Sequence, residues 1–210
     1  MKWVLGSQFL KQHELPQTVL VFAASEDLKM PKCLDRKYPH LGGNIIGGDR
    51  NTFYPALWSW LVRRFDISTV LDVGCGEGHA MAEFSALGCE VHGIDGLEQN
   101  IAACTNATVV DLTITAYEWP CDLVWCCEVV EHIDERFVDN LVRTLSNGHY
   151  IAMTHGLPGQ SGHHHVNCKP ADYWVGLMNN VGYRLMEETL ESRSLGGKYW
   201  KKSGLIFTRT

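Results

Sequence analysis

The sequence predicts an α/β fold: a mostly parallel sheet with helices on both faces. Three observations carry this. From Thr69 onward, short apolar runs rich in β-branched residues alternate with amphipathic segments. Glycine closes several of those segments, at Gly88, Gly148 and Gly182. The composition, 45% hydrophobic and 20% charged over 210 residues, suits one buried core. Strands that alternate with helices pair in parallel, because each helix carries the chain back across the sheet.

The elements follow in order. FYPALWSWLVRRF at 53–65 has its aromatic and aliphatic residues on one helical face. TVLDVG at 69–74 is a buried strand, and HAMAEFSALG at 79–88 a helix stopped by Gly88. EVHGID at 90–95 is the next strand, followed by a short helix through Ala103. ATVVDL at 107–112 and DLVWCCEV at 122–129 are two more strands. DERFVDNLVRTLSNG at 134–148 is a helix with an acidic first turn and a glycine stop. HYIAMTH at 149–155 is a strand, and KPADYWVGLMNNVG at 169–182 a helix with proline near its start. YRLMEETLES and KYWKKSGLIFTRT read as a final antiparallel pair.

Residues 1–68 form an N-terminal helical and glycine-rich cap segment in this reading, and 69–210 the main globular unit. The glycine-rich YPHLGGNIIGGDRNT at 38–52 is read either as a long surface connection or, because paired glycines permit hinge motion and close backbone approach, as a lid over a ligand formed by Gly42 to Asp49.

Charge and cysteine usage exclude several classes. A net charge of −6 argues against a protein that grips long nucleic acid, which needs clustered cations. Arg63-Arg64 and Lys201-Lys202 are the dense basic spots. The eight cysteines form no CxxC pair and several sit in apolar runs, as buried thiols do in a reducing compartment. Met1 to Gln12 has no continuous apolar run, and VLVFAA at 19–24 is too short to span a bilayer. The expectation is a cytoplasmic protein with no membrane span, monomer or homodimer.

The chemistry concentrates at strand ends. TVLDVG runs into CGEGH, so Asp72, Gly74, Gly76 and Gly78 form D-x-G-x-G-x-G. Such glycines let a strand turn sharply into a helix and let a ligand approach the backbone. A dinucleotide fingerprint needs a third glycine where His79 stands, which disfavours NAD and FAD. Asp95 ends the next strand, where an acid can accept two hydrogen bonds from ribose hydroxyls. Asp111 and Leu112 end the third, where a carboxylate or amide can meet an adenine edge.

These motifs resemble those of the class I S-adenosylmethionine-dependent methyltransferases. VLDVGCGEGHAMAEF is similar to their first motif, VHGIDG to their second and CDLVWCCEVVEHI to their fourth-strand motif. The resemblance implies a Rossmann-like seven-stranded sheet of order 3-2-1-4-5-7-6, with strand seven antiparallel. It places Gly74 and Gly76 against the methionine part of the cofactor, Asp95 on its ribose and Asp111 near its adenine. Asp72, Cys75, Gly78, Gly96 and Leu112 join these in the cofactor site, and Cys127 and Glu128 end beside the reactive methyl.

CCEVVEHIDE at 126–135 follows the fourth strand. Glu128, Glu131 and His132 are spaced i, i+3, i+4, which one helical turn would bring to one side. Two carboxylates and an imidazole make a half-shell for Mg²⁺ or Mn²⁺. The E-x-x-E-H element resembles two metal-dependent groups, the ubiquinone-biosynthesis O-methyltransferases and the small-RNA terminal 2′-O-methyltransferases. The latter imply a further downstream His ligand. His163, His164 and His165 are candidates, with His164 chosen, and His155 is another. Without a metal, His132 alone serves as a general base, with Glu128 and Glu131 as structural or substrate-facing acids; His132, Glu128 and His164 are the expected catalytic residues.

The expected function is O-methylation of a small-molecule or glycan-type hydroxyl with S-adenosylmethionine, assisted by Mg²⁺ or Mn²⁺. Two alternatives stand beside it. One is an RNA-end 2′-O-methyltransferase, which the acidic balance disfavours. The other is a non-catalytic binding protein on the same fold, which the intact glycine loop disfavours.

Overall fold

In the computed structural model, seven strands form one sheet. The structure describes residues 32–33, 38–41 and 43–210. The apolar run at 19–24 and Gly42 of the expected lid lie outside the described residues. A short antiparallel pair comes first, β1 (Lys32–Cys33) with β2 (Asn44–Ile45). The helix α1 (Pro55–Phe65) follows. The sheet is then built from β3 (Thr69–Val73), β4 (Glu90–Asp95), β5 (Ala107–Val109), β6 (Cys121–Cys126), β7 (Gly148–Met153), β8 (Tyr183–Leu185) and β9 (Leu205–Arg209).

Its spatial order is β5-β4-β3-β6-β7-β9-β8. Numbered from β3 as one, this is the expected 3-2-1-4-5-7-6. The strands β3 to β7 pair in parallel, and β9 runs antiparallel to both neighbours.

The period-two alternation of the strands sorts the core into two layers. Val70, Leu123, Trp125, Ala152 and Ile206 face α1 and α2 (His79–Ala86), where they meet Leu57, Trp58, Leu61 and Phe84. Leu71, Val73, Val124, Cys126, Ile151 and Phe207 face α4 (Val138–Leu145) and α5 (Ala171–Asn180), where they meet Leu141, Leu145, Trp174 and Met178. The short α3 (Glu98–Ile101) packs Ile101 into the first layer. Thus α1 belongs to the sheet's own core, as its one-sided apolar face requires.

The C-terminal segment departs from expectation. Only Tyr183–Leu185 and Leu205–Arg209 form the antiparallel pair, and α6 (Glu188–Ser192) and α7 (Lys198–Ser203) lie between them. Trp200 explains this. Its ring is fully buried and stacks on Trp125 at 5.4 Å, while its Nε1 donates to Ser192 Oγ at 3.1 Å. A helical turn buries Trp200 and Ser203 while leaving Lys201 and Lys202 exposed, which an extended strand in this sheet would not do. Among the described residues, no helix is long and apolar enough to cross a membrane.

Trp125 is the hub of the first layer, with Trp58, Tyr54, Phe84 and Trp200 packed around it. Trp125→Ala should therefore destabilise the fold by about 3–5 kcal/mol, read as a lower urea midpoint at unchanged slope. A change near zero would show that this layer does not carry the core.

Candidate active site

The ends of β3, β4 and β6 open into a cleft of ≈ 890 Å³. Open α/β sheets bind ligands at this edge, and the volume lies within the roughly 300–1,000 Å³ of small-molecule sites.

The glycine turn forms its floor. Gly74 (φ 74°), Gly76 (φ 53°) and Gly78 (φ 79°) all take left-handed backbone. A Cβ on Gly74 would collide with Val129, the residue that leads into the acid-and-histidine turn. The amides of Gly74 and Cys75 both donate to the Ile94 carbonyl, tying this turn to β4. Gly78 sits behind the turn, against Cys104. Gly96 lines the cleft beneath Leu41.

Asp95 was expected to accept from both ribose hydroxyls. Its Oδ2 already accepts from the Gly76 amide at 3.0 Å, and its Oδ1 from the Leu97 amide and Asn100 Nδ2 at 2.8 and 3.0 Å. A carboxylate has about four acceptor positions, so roughly one remains for a ligand. Asp111 is also committed. It accepts from the amide and hydroxyl of Thr113 and pairs with His40 at 2.9 Å, whereas its neighbours Val110 and Leu112 line the cleft. Asp72 is buried at the base with Oδ2 unpartnered, and burial raises its carboxyl to about 8.

The element CCEVVEHIDE does not form the single expected turn. Val130–His132 is a 3-10 turn, and Glu128 precedes it with left-handed backbone (φ 58°). Glu128 is therefore separated from the other two, and its geometry is set by Thr154. The Glu128 amide donates to Thr154 Oγ1 at 2.7 Å, and that hydroxyl donates to Glu128 Oε1 at 2.9 Å. Burial raises the Glu128 carboxyl, against the opposing Thr154 hydrogen bond. Cys127 and His132 line the cleft beside it.

The histidine loop docks on Glu131. The carbonyl of Glu131 accepts from the amides of both Val166 and Asn167, at 3.0 Å each. This brings His165, not His164, to the turn. One ligand atom each of Glu131, His132 and His165 lie within 4.8 Å of one another. His164 has φ 51°, and the left-handed backbone sends its side chain to a separate small cavity with His40, Asp134 and Arg136. His163 and His165 line the main cleft. His155 is buried beside Ser203, outside it.

The electrostatics of this group are unusual. Glu131 is fully buried, and neither carboxylate oxygen has a partner. Burial, with the Glu128 charge, lifts its carboxyl to about 8. His132 Nδ1 is also buried and unpartnered, and burial beside His165 depresses the imidazole to about 4. Native structures rarely orphan buried polar atoms, and an ion is one explanation when they do.

Sequence reasoning missed three contributors. Glu77, inside the glycine turn, accepts the Gly47 amide on both oxygens at 3.0 and 3.1 Å and so pins the N-terminal segment to the cofactor end. Thr154 and Tyr199 act from remote elements, and Tyr199 meets Asp49 Oδ2 at 3.5 Å. Of these, only Glu77 stood within a motif that marked it.

Comparison with known proteins agrees with this geometry. Residues 71–153 match the family model described as a methyltransferase domain. Ubiquinone biosynthesis O-methyltransferase of Rickettsia typhi is 36% identical over 98 residues, 40% of each chain. The chain thus spans about two fifths of the length of that curated relative. Magnesium protoporphyrin IX methyltransferase of Synechocystis PCC 6803 superposes with TM-score 0.54 at 18% identity, over 73% of this chain and 76% of that one. A TehB-like S-adenosylmethionine-dependent methyltransferase of Corynebacterium glutamicum gives 0.55 at 21%, over 79% and 91%. Residues 71–153 thus match a methyltransferase domain, and the strand order is the one expected of the class I S-adenosylmethionine-dependent methyltransferase superfamily.

The site fits the cofactor of that superfamily. A turn free of side chains at Gly74 and Gly76, the spare acceptor position of Asp95 and the apolar wall of Val110 and Leu112 suit a methionine chain, a ribose and a base, respectively.

A pH dependence follows from Asp72. Its carboxyl is held neutral up to about 8 in the fold but ionises near 3.8 when unfolded. The stability it lends is complete below pH 3.8 and is lost as pH rises through about 8. Urea midpoints of the ligand-free protein should fall over that window, and Asp72→Asn should flatten part of the fall. An identical profile in the variant would contradict the assignment.

Proposed function

We propose that this chain is an O-methyltransferase that transfers the methyl of S-adenosylmethionine to a small-molecule hydroxyl, with a divalent cation held by Glu131, His132 and His165. The observation that carries the reading is the fully buried, unpartnered Glu131 carboxylate, with ligand atoms of His132 and His165 within 4.8 Å of it. The similarity to ubiquinone biosynthesis O-methyltransferases supports oxygen as the acceptor atom.

The cofactor brings an electrophilic methyl on a sulfonium, which an acceptor oxygen takes by in-line displacement. The chain's own residues then have two tasks. Asp95 and the glycine turn hold the cofactor so that the displacement is aligned. On the acceptor side, burial keeps His132 neutral at pH 7, so its unprotonated ring nitrogen is available to ligate the cation, or, where no cation is bound, to take the hydroxyl proton instead. Glu128, held by Thr154, lines the same wall and positions the acceptor. A divalent cation would add Lewis acidity that lowers the pKa of the hydroxyl. Two imidazoles and one carboxylate form a more nitrogen-rich donor set than the sequence suggested, which favours Mn²⁺ over Mg²⁺. The described stretches at 38–41 and 43–54 are read as a cap over the cofactor, because Leu41 packs against Gly96 and Glu77 holds Gly47 against the glycine turn.

Two experiments test this. Asp95→Ala should weaken S-adenosylmethionine binding by about ten- to a hundredfold, because a charge-assisted hydrogen bond is worth roughly 1.5–3 kcal/mol. In the wild type, cofactor should slow hydrogen exchange at Gly47 and Gly48, whereas unchanged affinity and unchanged exchange would remove the cofactor and cap assignments in turn.

The second experiment follows S-adenosylhomocysteine release with a panel of phenols, catechols, sugars and amines. Hydroxyl acceptors should turn over and amines should not. Chelation and Glu131→Gln should each abolish turnover while sparing cofactor affinity, and Mn²⁺ should restore only the chelated wild type. Full turnover after exhaustive chelation would eliminate the cation and leave His132 as the base.

A further inference from the structure

The acceptor side of the cleft carries three cations in a chain of net charge −6. Arg50, Lys198 and Lys202 all line it. Lys198 and Lys202 stand at i and i+4 of α7 and so share one helix face. Arg50 begins a 3-10 turn, Arg50–Thr52, that packs against α7. Like charges on one face repel, and the carboxylates of Asp49 and Glu128 that line the same cleft make no ion pair with them. Among the described residues none of the three forms an ion pair.

The carboxylates nearby are engaged elsewhere. Asp49 accepts from Asn51 and from the Tyr199 hydroxyl, and Glu77 from the Gly47 amide. Asp95 is held by Gly76, Leu97 and Asn100, and Glu128 by Thr154. The position is informative too. Lys198 is close enough to Glu128 to oppose the rise in that carboxyl's pKa, so this end of α7 faces Glu128.

We propose that the methyl acceptor carries an acid group, a carboxylate or a phosphate, near its reacting hydroxyl, and that Arg50, Lys198 and Lys202 bind that group. The inference rests on the methyltransferase reading and adds the class of acceptor. Three cations at one mouth suit a single acid group. A polyanion would need a longer basic track, which the overall negative charge disfavours. The cations also fix which end of the acceptor enters, since an acid group held on α7 leaves the rest of the molecule pointing towards Glu128 and His132.

The test uses the full chain, isotope-labelled and saturated with S-adenosylhomocysteine, with inorganic phosphate, benzoate and benzamide as probes. Phosphate or benzoate should shift amide resonances of 197–203 saturably, at affinities on the order of millimolar, and benzamide should not. The tighter anion identifies the acid group. Lys198→Met with Lys202→Met should weaken anion binding about tenfold or more and leave the affinity for S-adenosylhomocysteine unchanged. Absence of saturable shifts with both anions, equal shifts with benzamide, or undiminished anion binding in the double variant each overturns the proposal while the methyltransferase reading stands. Failure of the wild type to bind S-adenosylhomocysteine overturns that reading, and this inference with it.

Discussion

The site depends on the parallel pairing of β3 with β6. Their register sets Val73 opposite Cys126, so the glycine turn and the acid-and-histidine turn leave the sheet side by side. The two turns touch where Gly74 meets Val129, and only a residue without Cβ fits there. A larger residue would push apart the cofactor floor and the wall that holds Glu128, Glu131 and His132. This contact of the glycine with the Val129 side chain ties the two turns together.

Around that contact the chain concentrates polar groups that are incompletely satisfied. Asp72 and Glu131 are carboxyls held neutral by burial up to about 8, and His132 is an imidazole held neutral down to about 4. Burying such groups costs stability unless something completes their hydrogen bonding. They lie at the strand ends, next to the cleft, whereas the layers above and below the sheet are built from aliphatic and aromatic residues. This division separates the residues that hold the fold from those available to ligands. The histidine loop belongs to the second group and is attached economically: one carbonyl, that of Glu131, accepts two loop amides and thereby sets which histidine faces the cleft.

Two further elements close the cleft from outside the sheet. The N-terminal segment is held by Glu77, α7 is anchored by Trp200 on Trp125, and the two meet through Tyr199 and Asp49. The wall of the acceptor side therefore comes from parts of the chain about 150 residues apart. That meeting brings the 3-10 turn that begins at Arg50 against α7, which carries Lys198 and Lys202.

Sequence alone determined the seven strands of the main sheet, the helices α1 to α5, the strand order through resemblance, and the glycine turn with Asp95. Each is encoded locally, in β-branched runs, in one-sided apolar faces and in glycines at strand ends. Tertiary structure decided the rest. Spacing placed Glu128 with Glu131 and His132, but left-handed backbone at Glu128 separates it from the 3-10 turn. Three adjacent histidines are equivalent in sequence. Only the docking of Val166 and Asn167 on Glu131, with left-handed backbone at His164, turns His165 toward the cleft and His164 away from it. The tail's lysines and Trp200 read as strand residues until Trp125 offers a surface that a helix buries better. Local patterns specify which element forms, whereas the direction of a side chain within a loop depends on backbone contacts made by residues distant in the chain.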